Sequence, residues 1–378
     1  MVLSQRPTLS SHAPAPSVRQ RIRQRRQQLV PPLTFLICLL CLSALDVFRP
    51  DLDVAGTEEP GLPDLDVAGT EEPGRFVALT FSAAMEEFAV NMLRSLEPHL
   101  GTAKVKAFVT GAGGCASLSA QFPAEVVWLE CTQMPETGEE RSDTGSTVIY
   151  KSAHYLAQVH KKLDMNILVM RSVPAGSLVM FTDVDVVYFN DPFTFEQDSS
   201  PSGLWFSAGE GAHKCGDSKD RGLVNTGLYF VKATPFNRDI FFQQAKMNLL
   251  AKKSYDKGDQ GAIQYTLNRR NLSYKILPCE LFANGNIYWG NMDGKKNVSQ
   301  FVSGAMEDGR FVSLHANYIV RSDLKKRCLQ LTGYWYNDRG EGRRDPSSLS
   351  RFEPKPVNVA LKDGVIVSCE AVAFKYDH

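Results

Sequence analysis

The stretch SLVMFTDVDVVYFNDP, residues 177–192, constrains the fold more than any other: an apolar run that ends on two carboxylates, Asp183 and Asp185. A chain burying Leu178, Val179, Met180 and Phe181 is building a covered strand. Other compact β runs occur at FVALTF (76–81), KVKAFVT (104–110) and AEVVWLEC (124–131). Between them the spacing predicts helices, one over 83–100 with apolar residues at Met85, Phe88, Ala89, Met92, Leu93 and Leu96, and one over Ser152–Arg171. Strands separated by helices argue for an α/β protein with a mainly parallel sheet covered on both faces. Such sheets bind ligands in the crevice beyond the carboxyl ends of their strands.

Asp183 and Asp185 follow a strand at that end. In extended chain residues i and i+2 project to one face, so both carboxylates would enter the same volume. Two like charges held there are costly unless a cation compensates them. Carboxylate oxygens suit Mn²⁺ or Mg²⁺, ions that also take phosphates as ligands. A turn or capping role is the plainer reading, since aspartate is a habitual turn residue. Asp-x-Asp also occurs at 51 and 53 and at 64 and 66, but only the pair at 183 and 185 terminates an apolar β run.

The formal net charge of the 378 residues is zero, which gives no reason to invoke nucleic acid as a partner. That balance hides a segregation: residues 1–30 carry six arginines and no acid, and residues 51–74 carry eight acids and no base. Between them LVPPLTFLICLLCLSAL runs uncharged from Leu29 to Leu45. As a helix its 17 residues reach about 25 Å, just short of a hydrocarbon core of roughly 30 Å. The expected organisation is a basic cytoplasmic tail (1–28), a signal-anchor helix (29–45), an acidic stem (46–74) and a lumenal domain (75–378). A cleaved signal peptide and a buried core helix are the rival readings of the apolar run. The stem holds DLDVAGTEEPG twice, at 51–61 and 64–74, an acidic sequence without aromatics and expected to be disordered.

Cys115, Cys131, Cys215, Cys279, Cys328 and Cys369 follow the span, an even count that an oxidising lumen would pair in a way the sequence does not select. Sequons at Asn271 and Asn297 would be usable on the same side.

Four blocks, FTDVDVVYFNDPF (181–193), GLVNTGLYFVKAT (222–234), DQGAIQYTL (259–267) and HANYIVRSDLKKRCLQLTGYW (315–335), resemble the nucleotide-diphospho-sugar transferases that include plant rhamnogalacturonan xylosyltransferases. The resemblance implies a GT-A-type fold, a mixed, mainly parallel sheet flanked by helices, and a retaining glycosyltransferase. It implies a metal on Asp183, Asp185 and His315, with Asp183 near the ribose. Lys325 would lie near the diphosphate. Arg321 stands where relatives are expected to have glycine. Asn225, Thr226 and Gly227 would pass the donor sugar, Asp259 and Gln260 would position sugar and acceptor on the reacting face, and Thr80, Phe81 and Ser82 would meet the base. Plainer readings exist for two of these groups: a lone histidine is more often structural, and Asn-Thr-Gly is also a turn sequence.

No GxSxG elbow, P-loop or HExxH competes. The expectation is a Golgi type II membrane glycosyltransferase that uses Mn²⁺ or Mg²⁺, a UDP-sugar donor and a glycan or glycoprotein acceptor. A calcium-dependent lectin-like module and a catalytically degenerate scaffold are the alternatives.

Overall fold

The computed structural model describes residues 72–134, 153–194, 200–209, 223–253, 258–285, 304–317 and 322–337, with Tyr288, Val302 and two strands nearer the C-terminus. All of them fall in one compact unit, Leu65–His378. The apolar run 29–45 and the stem as far as Glu71 lie outside the described residues, as do Asn297 and Arg321. Among the described residues no helix is long and apolar enough to cross a membrane.

The chain opens with β1 (Arg75–Ser82), buried on both faces from Phe76 to Leu79. A 3-10 turn (Ala83–Met85) leads into α1 (Glu86–Leu96), whose first turn carries Glu86 and Glu87 at the positive end of the helix dipole. The single helix expected over 83–100 is divided: Pro98 lacks the N–H that would continue it, and Glu97–His99 tightens to a 3-10 turn.

Then follow β2 (Lys104–Thr110), α2 (Gly114–Gln121) and β3 (Leu129–Met134). The strand expected from residue 124 begins at Leu129. Its intended start is a turn in which the Pro123 carbonyl accepts from the amides of Val126 at 2.9 Å and Val127 at 3.1 Å. The 20-residue α3 (Ala153–Ser172) precedes β4 (Leu178–Thr182), β5 (Val186–Tyr188), β6 (Leu204–Ala208) and β7 (Val224–Lys232). A π-helical turn (Asn237–Phe241) runs into α4 (Phe242–Leu250), followed by α5 (Asp259–Arg269). The remaining elements are β8 (Lys275–Ile276), β9 (Phe282–Asn284), β10 (Ser313–His315), α6 (Ser322–Leu331) and the strands β11 (Val357–Ala360) and β12 (Ile366–Cys369).

The main sheet has the order β3-β2-β1-β4-β7-β6-β8. The first four strands run parallel, β7 is antiparallel to β4 and to β6, and β8 is parallel to β6. The sheet is thus mixed and mainly parallel, flanked by helices, as the α/β pattern and the resemblance led one to expect. A second sheet, β5-β10-β9, stands beside it, and β11 pairs with β12. From β1 the chain goes outward to β2 and β3, then crosses to β4 on the other side. The carboxyl ends of β1 and β4 therefore flank a topological switch point, where open sheets of this kind take their ligands.

An aromatic row pins the centre of the sheet. Tyr229 of β7 stacks on Phe181 of β4 at 5.0 Å and on Phe206 of β6 at 5.3 Å, the three being direct cross-strand partners. Such pairs add about 0.5–1.5 kcal/mol beyond their buried area. The Tyr229 hydroxyl accepts from Asn166 Nδ2 at 2.6 Å, which fixes the rotation of α3 against the sheet. Lys162 lies one turn earlier on the same helical face.

At the outer edge Cys115 of α2 is bonded to Cys131 of β3, 16 residues away. Cys279 and Cys328 are disulfide-bonded as well. Closing a loop of this length removes about 3 kcal/mol of unfolded-state freedom. Cys131→Ser is therefore expected to lower the unfolding free energy by about that amount in oxidising buffer. Urea titration with and without reductant checks this: the reductant should erase most of the difference.

Candidate active site

The two carboxylates of the opening motif do not sit in extended chain. Residues 183–185 form a tight turn between β4 and β5. The turn still delivers the convergence that the i, i+2 argument required, because both of its sides are tied down. The Asp183 amide donates to the Gly227 carbonyl at 2.7 Å, and the Asp185 carbonyl accepts from the Ala316 amide at 2.9 Å. Beneath it, Tyr188 Oη donates to Thr182 Oγ1 at 2.7 Å, and Thr182 Oγ1 donates to the Asp183 carbonyl at 3.0 Å. Burial pushes the Tyr188 phenol up, so it remains a donor.

His315 reaches the turn from β10, where it pairs with Val186, the residue after Asp185. Its Nε2 stands 3.3 Å from Asp185 Oδ1 and 3.7 Å from Asp183 Oδ2. One ligand atom from each of Asp183, Asp185 and His315 can be drawn together within 4.8 Å. The side chain of Asp183 keeps 35% exposure against 7% for Asp185 and 5% for His315, so Asp183 forms the open side of the cluster.

Gly227 explains how the imidazole gets so close. A Cβ at that position would lie 1.8 Å from His315 Cε1 and 2.6 Å from both ring nitrogens. The ring lies directly over the strand, and only a residue without a side chain leaves room for it.

Two ammonium groups offset the carboxylates. Lys162 donates to Asp183 Oδ1 at 2.6 Å and to the Thr226 carbonyl at 2.7 Å. It also lies 3.3 Å from Asp259 Oδ2, an oxygen that makes no hydrogen bond, so this contact is electrostatic only. Burial works against its charge, but Asp183 and then Asp259 outweigh burial and hold it well above the ordinary lysine range. Lys325 of α6 donates to Asp185 Oδ2. For Asp185 burial would raise the carboxyl, and Lys325 and then His315 overcome it, holding the group well below the usual carboxylate range.

The sequence-derived residues divide by position. Asp183, Asp185, His315 and Lys325 meet directly, and Asp259 joins them through Lys162. Asn225, Thr226 and Gly227 lie in β7 rather than in a turn, beside an irregularity where consecutive Phe206 and Ser207 pair with Tyr229 and Asn225. Asn225 Oδ1 accepts from the Gly227 amide at 2.8 Å. Gln260, half-buried, follows Asp259 in the first turn of α5. Thr80, Phe81 and Ser82 end β1; Leu79 pairs with Thr182, so Thr80 is level with Asp183. Ser82 Oγ and its register partner's Thr110 Oγ1 are buried without hydrogen-bond partners.

Sequence reasoning missed Lys162. It lies in a helix, in no motif, and its one signal is that Lys161-Lys162 interrupts a helix of otherwise mostly apolar character. Both of these lysines are buried.

The donor set can be tested against a divalent cation. Two carboxylates and one imidazole suit a divalent metal of the harder kind that tolerates nitrogen. His315 turns Nε2 to the two carboxylates, and its Nδ1 is buried without a hydrogen-bond partner, so no other hydrogen bond draws the ring away from the cluster. The cradle at Gly227 fixes the ring's approach. These residues fit such an ion.

Residues 124–329 match the model of the nucleotide-diphospho-sugar transferase family. The chain belongs to that family. The match contains Lys162, the Asp183 turn, β7, Asp259, His315 and Lys325. Among curated proteins the sequence finds no match. Among solved structures the transferase is similar to the glycosyltransferase GlyE of Streptococcus pneumoniae TIGR4, at 13% identity and a TM-score of 0.43 over 65% of this chain and 56% of that one. It thus matches little more than half the length of GlyE. It is similar also to the galactosyltransferase LgtC in complex with donor and acceptor sugar analogs, at 12% identity and 0.44 over 65% and 88%. Mouse xyloside xylosyltransferase 1 gives 11% and 0.39 over 66% and 99%.

Gly227→Ala is expected to leave the transferase folded but to push His315 off the cluster, weakening divalent-cation binding about 10–100-fold. Mn²⁺ titration by calorimetry, with circular dichroism as the fold control, checks it.

Proposed function

We propose that the transferase uses Mn²⁺, with Mg²⁺ as the alternative ion, to move a sugar from a UDP-sugar to a hydroxyl of a glycan or glycoprotein, retaining the anomeric configuration. The observation that carries the reading is the convergence of Asp183, Asp185 and His315 at the switch point of the sheet. When bound, the ion would supply Lewis-acid stabilisation of charge on the departing diphosphate. In the transfer, the bond between the anomeric carbon and the diphosphate oxygen breaks and the acceptor oxygen bonds to that carbon. The hydroxyl proton passes to the departing diphosphate, and UDP leaves.

The chain's own groups have separable tasks in this scheme. Asp185 and His315, both buried, form the fixed part of the metal-binding set, and Asp183 its open edge. Lys325 offsets leaving-group charge. Thr80, Phe81 and Ser82 at the end of β1 are placed for the nucleotide. Asp259 and Gln260 at the start of α5 hold the sugar and acceptor side, with Lys162 fixing the distance from Asp259 to Asp183. The imidazole weighs against a calcium-dependent lectin, because Ca²⁺ prefers six to eight oxygen donors.

We further propose that residues 29–45 anchor the protein in the Golgi membrane as a type II protein, with the catalytic part in the lumen. The bond between Cys115 and Cys131 supports an oxidising compartment, and Asn271 of the first sequon is exposed.

Asp185→Ala is expected to abolish Mn²⁺-dependent UDP-sugar hydrolysis and transfer, by at least about a hundredfold. Product release across a panel of UDP-sugars, with Mn²⁺ and then with chelator, measures this; undiminished turnover would reject the metal assignment, and UDP binding without turnover in the wild type would mark a scaffold. For the topology, enzymatic deglycosylation of protein made in secretory cells should increase gel mobility, and Asn271→Gln should remove part of that shift.

A further inference from the structure

The two ammonium groups at the cluster are held differently. Lys162 is enclosed and spread over Asp183, Asp259 and the Thr226 carbonyl, so moving it would strand two acceptors and leave the buried Asp259 carboxylate without its counter-charge. Lys325 is less enclosed, with 19% of its side chain exposed, and among the described residues its ammonium meets one acceptor, Asp185 Oδ2. Asp185 in turn has both oxygens engaged, Oδ2 by Lys325 and Oδ1 by His315 Nε2 at 3.3 Å. A divalent cation that takes this carboxylate and Nε2 meets the lysine's positive charge across the same oxygen. At such short range, like charges at a partly buried site repel far more strongly than they would in bulk water. Lys325 therefore opposes the cation wherever it stays on Asp185, and it needs a new acceptor if it leaves.

The diphosphate of a nucleotide donor is such an acceptor. We propose that Lys325 is an exchangeable counter-ion, which trades Asp185 for the donor's diphosphate and thereby makes metal binding depend on nucleotide binding. The proposal rests on the metal-site reading above and adds a role for this lysine before any chemistry: it disfavours the metal alone and favours metal and nucleotide together. Coupling of this kind is reciprocal, so whatever factor UDP adds to Mn²⁺ affinity, Mn²⁺ adds to UDP affinity. The rest of α6 is placed to stay still during the trade. Lys326, the next residue, contacts Glu87 of α1 and lies 5.2 Å over the ring of Trp335. Only the Lys325 side chain has to turn.

A lysine that merely sits nearby would give a different result. Removing a bystander charge strengthens Mn²⁺ binding equally with and without UDP. Removing an exchanging lysine strengthens Mn²⁺ binding alone, yet brings no gain, or a loss, once UDP is present. The test uses the full chain and Lys325→Gln, which keeps an N–H for Asp185 while removing the charge, with Lys325→Met as a second variant. Thermal melts establish that each is folded. Mn²⁺ affinity is measured by calorimetry and by the electron paramagnetic resonance of free Mn²⁺, in the absence and in the presence of saturating UDP.

The expected result is Mn²⁺ binding about tenfold tighter in the variants without UDP, and a coupling factor between Mn²⁺ and UDP reduced by about tenfold or more. Unchanged Mn²⁺ affinity without UDP, or an equal gain under both conditions, overturns the exchange while leaving the metal site intact. Failure of the wild-type protein to bind Mn²⁺ even with UDP present overturns the metal reading itself, and the exchange with it.

Discussion

Charge compensation at the end of β4 governs the arrangement of the whole active side. Asp183, Asp185 and Asp259 come from two different segments, and without compensation they would repel one another in a largely buried place. Lys162 draws Asp183 and Asp259 together and Lys325 neutralises Asp185. Removing one partner from a buried ion pair costs about 3–5 kcal/mol, comparable to a large part of a domain's net stability. The elements that carry these groups are therefore held in mutual register by their charges. α3 is set by Asn166 on Tyr229, β4 and β7 are paired, and α6 reaches the turn through Lys325.

A fold positions such a cluster by combining ordinary parts. The parallel strands β1 and β4 end at one edge of the sheet, and β7, running the other way, begins there. One edge thus receives the end of one chain segment and the start of another. Where the pairing of β7 with β6 is irregular, the Thr226 carbonyl accepts from Lys162, while on the other side of the strand the Gly227 carbonyl continues the β4–β7 pairing by accepting from the Asp183 amide. A regular ladder on that side would have claimed backbone groups at this point.

Much of this was legible in the sequence where local physics decides it. Covered strands announce themselves by apolar runs, so β1, β2 and β4 fell where expected, and α3 matched within a residue at each end. The edge strand β3 was misplaced because Val126, Val127 and Trp128 look like strand residues, whereas the Pro123 carbonyl turns the chain there. Asp183 and Asp185 could be found because they break an apolar pattern at a strand end. Lys162 could not, because its importance lies in groups 21 to 97 positions further along the chain, and a helix interior gives no local sign of them. The reason for Gly227 was hidden likewise: glycine promises a close approach without saying what approaches, and here it is the ring of His315.

The covalent tie between α2 and β3 has a bearing beyond the domain's own stability. As the described sheet stands, β3 is its last strand, so one side of its backbone has no neighbouring strand to pair with. A bare margin of that kind is a template on which another polypeptide can add, the first step toward clumping. Fastening a helix to that border by Cys115 and Cys131, with the charges of Lys106 and Glu130 paired alongside, keeps the margin from fraying open. A sheet of this kind stays dispersed through a guarded border as much as through a well-filled interior.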